Sequence, residues 1–228
     1  MNRSSLGSVL LAGLMAVLTG CANPNPDPRV SRFDFIYGGN LEIEVDALQD
    51  PDRQSPGNRY VLMPGMRDLK ADDLEFRQVC RYMDNALALK GFQKAGEKER
   101  PELFLRLAYG IGTPQTENVT TGAGYSYAVG WMWFNVPPKT ANITSYQRNL
   151  IVEAYDAPDP AVAKQVWKTS ITSTGTTNDL RRVIVYMISA AHPYFGTQTN
   201  SKKRISISGT DQGVLDIAVG PRPAPSVP

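Results

Sequence analysis

Few side chains in this sequence could act together as a nucleophile and a base. Serine and cysteine nucleophiles need a neighbouring base, most often histidine, and the chain has a single histidine, His192, and two cysteines, Cys21 and Cys80. His192 lies at the predicted end of a helix, directly before Pro193, where the helix dipole favours a structural imidazole. The sequence has no GxSxG, HExxH or GxxxxGK motif, so the common hydrolase and nucleotide-binding signatures are absent. We predict no catalytic residue.

Carboxylates are the remaining groups that could do chemistry. The pairs Asp72 with Asp73 and Asp156 with Asp159 lack the ligand spacing of a calcium loop, and they are better explained as helix-end charge and as turn residues. We therefore predict no metal and no cofactor. Two carboxylates can also cleave a glycosidic bond, but a sequence does not give the distance between them on which that reaction depends. A glycan hydrolase stays open as an alternative.

The N-terminus carries the clearest chemical signal. Leu18, Thr19, Gly20 and Cys21 close a short apolar stretch behind a basic start, which is the layout of a bacterial lipoprotein signal peptide. We predict cleavage between Gly20 and Cys21 and lipidation of Cys21, which makes a membrane the first partner of this chain. Two alternatives fit less well. One is a retained membrane span, because spanning needs about 20 apolar residues, and the other is an ordinary cysteine after a conventional signal peptide. Ala22, where aspartate would favour inner-membrane retention, predicts the outer membrane and a periplasmic domain if the host has two membranes.

Charge and cysteine content limit the partners and the fold. Removal of residues 1–20 takes away one basic residue, Arg3, which leaves 23 basic and 22 acidic side chains among 208 residues. A nucleic-acid-binding protein usually clusters Lys and Arg on one face, whereas the only dense basic run is residues 202–204, which suits a solvated strand edge. We therefore exclude nucleic acid as a partner. Once Cys21 is acylated, Cys80 cannot form an internal disulfide, and its place on the apolar stripe of a predicted helix favours a buried, inert thiol.

The apolar pattern predicts an α+β fold, a mixed β-sheet with two amphipathic helices packed on one face in a single domain. The first helix follows the acidic residues 68–73 and ends at Gly91, with Phe92 folding back as in a Schellman motif. Thr177 or Asn178 is expected to cap the second helix. A strand, helix, strand order in the first half implies a right-handed crossover. The predicted strands cover residues 41–45, 59–63, 102–112, 146–156 and 164–174, of which the last two form a hairpin.

These elements divide the chain into a leader, a tether, one domain and a tail. Residues 1–20 are the signal peptide, and residues 21–39 are the lipidated cysteine and a proline-rich tether. Residues 40–219 form the domain, with an aromatic and glycine-rich insertion at about residues 113–145. The proline-rich residues 220–228 are expected to be disordered.

The insertion contains the segment with the most functional promise, GAGYSYAVGWMWFNVPP. Tyr125, Tyr127, Val129, Trp131 and Trp133 recur at every second position, so in an extended chain they share one face. Two interpretations stay open: this face packs into the core, or it is exposed and binds an envelope protein, a glycan or the headgroup zone of a lipid layer. We take Tyr125, Tyr127, Trp131 and Trp133 as the candidate binding surface.

Several short motifs together resemble a known family. One strand ends at residues 63–64 and the next helix closes with KGF at residues 90–92; NLIVEAYDA at residues 149–157 is then followed by KQVWKTSIT at residues 164–172. Over about residues 40–195 this order resembles the bacterial lipoproteins grouped as domain of unknown function 4136. The resemblance implies the fold, an envelope location and a hairpin tryptophan, here Trp167. It implies no known activity and no functional residues.

The leading function hypothesis is a non-enzymatic envelope lipoprotein whose domain binds another envelope protein or a glycan. The first alternative is a hydrolase that acts on peptidoglycan or another glycan with carboxylates. The second is a passive structural lipoprotein, which would have neither a partner nor a product.

Overall fold

The computed structural model describes residues 40–52, 57–159 and 161–220. The predicted signal peptide, the lipidation site at Cys21, the tether and residues 221–228 lie outside these ranges. The described strands are β1 (Asn40–Gln49), β2 (Arg59–Pro64), β3 (Gln93–Lys94), β4 (Leu103–Ile111), β5 (Gln115–Gly122), β6 (Tyr125–Val129), β7 (Met132–Val136), β8 (Lys139–Tyr155), β9 (Gln165–Gly175) and β10 (Lys203–Ser208). The helices are α1 (Leu74–Leu89), α2 (Leu180–Ala191) and α3 (Gln212–Val219), and a 3-10 turn covers His192–Tyr194.

One mixed sheet organises the domain. Its strand order is β10-β1-β9-β8-β4-β2-β3, and β5 pairs with the first half of β8 outside this path. β2 and β4 are parallel neighbours joined through α1, and the other pairs along β4-β8-β9-β1-β10 are antiparallel. The predicted strand, helix, strand unit and the β8-β9 hairpin are therefore confirmed.

The helices cover one face of this sheet and bury every second residue of the central strands. In β4, Leu103, Leu105 and Leu107 are fully buried, while the alternate residues Phe104 and Arg106 are half-buried on the other face. Such alternation is what a sheet with one covered face requires. All three helices contact one another. The predicted α+β class, with a mixed sheet in a single domain, is confirmed.

Local capping signals set the helix ends. Asp73 caps α1, because its side chain accepts hydrogen bonds from the Glu75 and Phe76 amides at 2.8 and 3.1 Å. At the other end, Gly91 adopts a φ of +92°, and the Phe92 amide donates to the Leu87 carbonyl at 2.9 Å, which confirms the predicted Schellman ending.

The predicted start of the second helix is wrong by one or two residues. Asp179, and neither Thr177 nor Asn178, caps α2 and accepts from the Arg181 amide at 3.2 Å. The Thr177 hydroxyl instead accepts a hydrogen bond from the Asp179 amide at 3.2 Å, in the turn that directly precedes the helix. Aspartate is as good an N-cap as asparagine, so the choice among neighbouring cap residues depends on the geometry of the turn that precedes the helix.

The prediction of two helices misses the third, α3. Residues 202–219 add β10 to the edge of the sheet and α3 to the helix layer, where Val214, Ile217 and Ala218 are buried. Asn85 of α1 donates to the Ile217 carbonyl at 2.7 Å and ties the two helices together. A helix of eight residues is too short to be stable alone, so tertiary contacts stabilise it and its sequence signal is weak.

The whole described core lies between Ile43 and Ala218. A chain that starts at residue 22 therefore contains every core residue that the structure describes. No helix in the described ranges combines the length and the apolar character needed to cross a membrane.

Candidate binding surface

A long β-arm leaves one end of the sheet. β8 is 17 residues long, and its second half pairs with β4 and β9 inside the core, whereas its first half pairs with β5 alone. Beyond this two-stranded ribbon, β6 and β7 form a separate hairpin. We call residues 112–145 the arm and residues 125–136 the tip hairpin.

The register of the tip hairpin corrects the predicted aromatic face. Val129 is paired with Met132, so the chain turns through Gly130 and Trp131, and Gly130 has a φ of +62°. Trp133 pairs with Ala128, whereas Tyr127 pairs with Phe134. Because side chains alternate across a strand, Trp133 lies on the opposite face from Tyr125 and Tyr127. The single aromatic face predicted for these residues is therefore wrong, because the two-residue turn interrupts the period.

Large apolar side chains are exposed on both faces of the tip hairpin. Trp131 and Trp133 are 89% and 75% exposed, and Tyr127 is 45% exposed. The interpretation in which this segment packs into the core is therefore wrong. The exposed large apolar side chains at the tip are Tyr125, Tyr127, Val129, Trp131, Met132, Trp133 and Phe134.

The more aromatic face is ordered by ring contacts. The rings of Tyr127 and Phe134 are stacked, with centroids 5.3 Å apart, and Tyr125 lies 6.1 Å from Tyr127. On the opposite face, Ser126 donates to the Asn135 side chain at 2.6 Å, nearer the base of the hairpin than Trp133. Polar side chains on this face are thus confined to the base, and the last two residue pairs and the turn are apolar on both faces.

Sequence reasoning missed Met132 and Phe134 as members of this surface. The signal was present, because Gly130 stands between two aromatic-rich stretches, residues 125–129 and 131–134, and glycine is typical of the first turn position of a two-residue hairpin. A turn placed there brings Phe134 opposite Tyr127 and Met132 opposite Val129.

A close backbone crossing joins the ribbon to the tip hairpin. A Cβ on Gly124 would lie 2.8 Å from Cδ of Pro138 and 3.0 Å from the Val136 carbonyl, so no larger residue fits without a shift. The prolines at 137 and 138 have no amide hydrogen to donate, which explains why the pairing of β5 with β8 stops at Gly122 and Lys139 and resumes at Tyr125 and Val136.

The end of the arm carries no charge. Between Glu117 and Lys139 the sequence contains no acidic, basic or histidine side chain. The tip therefore presents aromatic, aliphatic and neutral polar groups only, which suits an apolar or interfacial partner and gives no basis for recognising ions.

The residues nominated for chemistry have structural roles. His192 caps α2, and its Nδ1 donates to the Ser189 carbonyl at 2.8 Å. Asp73 caps α1. Asp156 and Asp159 accept from the Lys164 and Ala161 amides at 2.8 and 2.9 Å, as predicted for turn residues. Among the described ranges, no group of three or more His, Cys, Asp or Glu side chains could hold a metal ion.

Cys80 is a free, half-buried thiol on α1. Burial first, and then the charge of Asp84, raise its pKa to about 12. Asp84 itself accepts from the Tyr60 hydroxyl at 2.9 Å and pairs with Lys94 at 2.7 Å. The thiol is therefore protonated at neutral pH, and a protonated thiol is a poor nucleophile.

Two shallow cavities bring no nucleophile and base together. One, of about 240 Å³, lies between α1 and the start of α2, where Asp179 pairs with Arg182 at 3.4 Å. The other, of about 270 Å³, lies beside the Asp50–Lys164 ion pair at the far end of the sheet from the arm. Neither is lined by His192 or Cys80.

Together these features define a class of protein: a one-sheet α+β domain, covered by helices on one face, that carries a projecting β-arm with an exposed aromatic end. The chain belongs to the family described as Domain of unknown function (DUF4136), which matches residues 48–192. The match includes the whole arm, whereas β10 and α3 lie beyond it.

Comparison with solved structures gives a weaker likeness. The crystal structure of a PDZ domain protein from Parabacteroides distasonis is similar with a TM-score of 0.40 and 13% sequence identity, over 76% of this chain. The likeness covers 41% of that protein. No curated protein matches the sequence.

Proposed function

We propose that the protein is an envelope lipoprotein, anchored through Cys21 to the outer membrane and facing the periplasm, and that it binds another envelope component without catalysing a reaction. The binding element is the tip hairpin. The observation that carries the proposal is the cluster of exposed apolar side chains on both faces of this hairpin.

Two physical arguments support a binding role. Contiguous apolar surface on a monomeric domain usually marks an interaction site. An isolated two-stranded hairpin is also marginal in water, and this one buries none of Trp131, Trp133 or Tyr127 in the core. A partner that removes these side chains from water would therefore stabilise the hairpin as well as the complex.

The test is a cross-linking pull-down of the lipidated protein from its native envelope, read by mass spectrometry. We compare the wild-type chain with a tip variant in which Tyr127, Trp131 and Trp133 are replaced by serine. The matched control replaces Leu74 and Val162 with serine, because these exposed apolar residues lie outside the arm.

We expect an enriched envelope component, protein or lipid, that the tip variant loses and the control retains, while both variants keep a native circular dichroism spectrum. A Cys21→Ser variant tests whether capture depends on the anchor. Equal recovery with the tip variant would contradict the proposal.

The non-enzymatic part has its own test. A chain of residues 22–228 is incubated at high concentration with purified peptidoglycan, and released muropeptides are measured. We expect none. Release that disappears when a carboxylate is replaced would contradict this part of the proposal and favour a glycan hydrolase.

A further inference from the structure

We infer that the component bound by the tip hairpin is the phospholipid surface of the membrane itself, which the hairpin enters end-on. This inference rests on the proposed function, because it names the partner of the same binding element. Three features of the arm carry it: the distribution of apolar side chains around the tip, the absence of charge, and the end of the sheet from which the arm leaves.

The apolar side chains surround the tip. A protein partner that covered one face of the hairpin would bury Tyr127 and Phe134 and leave Trp133 in water, or the reverse, because these residues lie on opposite faces. Trp131 lies at the turn, is 89% exposed, and would be covered by neither of these contacts. A fluid medium covers both faces and the turn at once. A lipid surface therefore matches the geometry better than a docked protein does.

The side-chain types match the interfacial zone of a bilayer. Tryptophan and tyrosine are enriched at membrane–water interfaces, where an apolar ring and a polar N–H or O–H are both accommodated. Insertion of the tip below the headgroups would be costly for a charged side chain. The 21 residues from 118 to 138 contain no charged side chain, and the first charges along each strand are Glu117 and Lys139 at the base.

The topology directs the arm and the proposed anchor to the same side of the domain. Ile43, Ser173, Arg148 and Ile111 form one row across β1, β9, β8 and β4. From this row, the arm extends beyond Tyr146 of β8, and β1 extends in the same direction to Asn40, where the described chain begins.

The distances allow the lipid on Cys21 and the tip hairpin to contact the same membrane. β1 and β8 are separated by β9 alone, so Asn40 enters the sheet about 10 Å from the strand that carries the arm. The 8 residues of β5 and 5 of β6 span up to about 40 Å of arm. The 19 residues from Cys21 to Gly39 reach at most about 65 Å. A lipid on Cys21 and the tip hairpin can therefore occupy the same leaflet.

The opposite end of the sheet is suited to water. Asp50, Asp156, Asp159 and Lys164 cluster around the turn between β8 and β9, and Lys164 pairs with Asp50 at 2.7 Å. This far end of the sheet carries charges that the tip hairpin lacks, and β1 begins on the side of the sheet from which the arm leaves.

The experiment measures vesicle binding by the unacylated chain of residues 22–228, which contains the whole described core. The probes are vesicles of phosphatidylcholine alone and of phosphatidylethanolamine with phosphatidylglycerol, both free of protein. Binding is measured by flotation, and tip insertion by quenching of tryptophan fluorescence with bromine-labelled acyl chains. The third tryptophan, Trp167, is 1% exposed and packed between Phe92 and Phe195, so it supplies a constant background.

We expect binding to both vesicle types, quenching of the exposed tryptophans, and little change with salt, because the tip carries no charge. W131S/W133S should bind at least about tenfold more weakly, since each large apolar side chain contributes on the order of a tenfold factor. The control L74S/V162S should bind as the wild type does. Circular dichroism checks that both variants are folded.

Acylated protein reconstituted in the same vesicles gives a second measurement. Quenching of Trp131 and Trp133 by brominated lipid in this sample, and its loss in W131S/W133S, supports the inference. Absence of quenching, absence of vesicle binding, or equal weakening in the control variant would each overturn it. If vesicles bind through the tip and the pull-down captures no protein, both the lipid inference and the proposed binding function are supported. If vesicles fail while the envelope pull-down still captures a protein through the tip, the lipid inference falls and the proposed binding function stands. If both fail, both fall.

Discussion

Exposure of the tip hairpin leads to a quantitative prediction about stability. Trp131 and Trp133 are largely exposed, so W131A/W133A removes little buried area and should change the free energy of unfolding by about 0.5 kcal/mol or less. Trp167 is 1% exposed and contacts the rings of Phe92 and Phe195 at centroid distances of 6.2 Å. W167A should therefore cost about 3 to 5 kcal/mol, as expected for removal of a buried tryptophan.

Equilibrium urea denaturation followed by far-ultraviolet circular dichroism measures both effects. With a slope of about 2 kcal/mol per molar urea, W131A/W133A should move the midpoint by about 0.3 M or less, and W167A should lower it by about 1.5 to 2.5 M. If W167A does not fold, W167F keeps most of the ring packing and should show a smaller loss of the same sign.

One result would refute the reasoning from exposure. If W131A/W133A lowers the midpoint by more than about 1 M, the tip side chains are part of a cooperative core. Both proposals would then lose their basis, because the tip would have no free apolar surface to offer a partner.

Further predictions concern α1 and its ends. G91A should cost about 1 to 2 kcal/mol through backbone strain alone, since φ is +92° and a Cβ would meet nothing within 4 Å, whereas G96A should be near neutral in the same urea assay. D73A should cost about 1 kcal/mol by removing the N-cap of α1, measured as a lower thermal midpoint. Cys80 should react with iodoacetamide at pH 8 much more slowly in the folded chain than in urea, and equal rates would contradict its burial. Because burial raises the pKa of this thiol from 9.0 to about 12, its contribution to stability is complete below pH 9 and is lost as the pH rises toward 12; C80A should flatten that part of the pH profile.

The sequence predicted those parts of the fold that depend on local signals. The acidic turn before α1 and the glycine after it set both ends of that helix through neighbouring hydrogen bonds. The apolar pattern placed β4 within one residue at each end. Each of these signals lies within a few residues of the element that it defines.

The missed parts depend on contacts between distant segments. α3 has eight residues, and its position depends on the hydrogen bond from Asn85 and on burial of Ile217, neither of which leaves a periodic pattern. Exposure of the aromatic segment also depends on tertiary structure, because the same alternation suits a buried strand. A turn at Gly130 could have been read from the sequence, but whether the resulting hairpin packs on the sheet or projects from it could not.

The unbroken course of β8 fixes the distance between the tip hairpin and the sheet. Since one continuous strand belongs to both the core and the ribbon, the number of paired residues in the ribbon sets how far the tip stands from the sheet. Deletion of two residues from each ribbon strand would shorten this gap by about 7 Å and keep every side chain on its face, whereas deletion of one from each would shorten it by half as much and invert the tip. The distance of the tip from the sheet and the direction that its faces point can therefore change only in increments of one residue per ribbon strand.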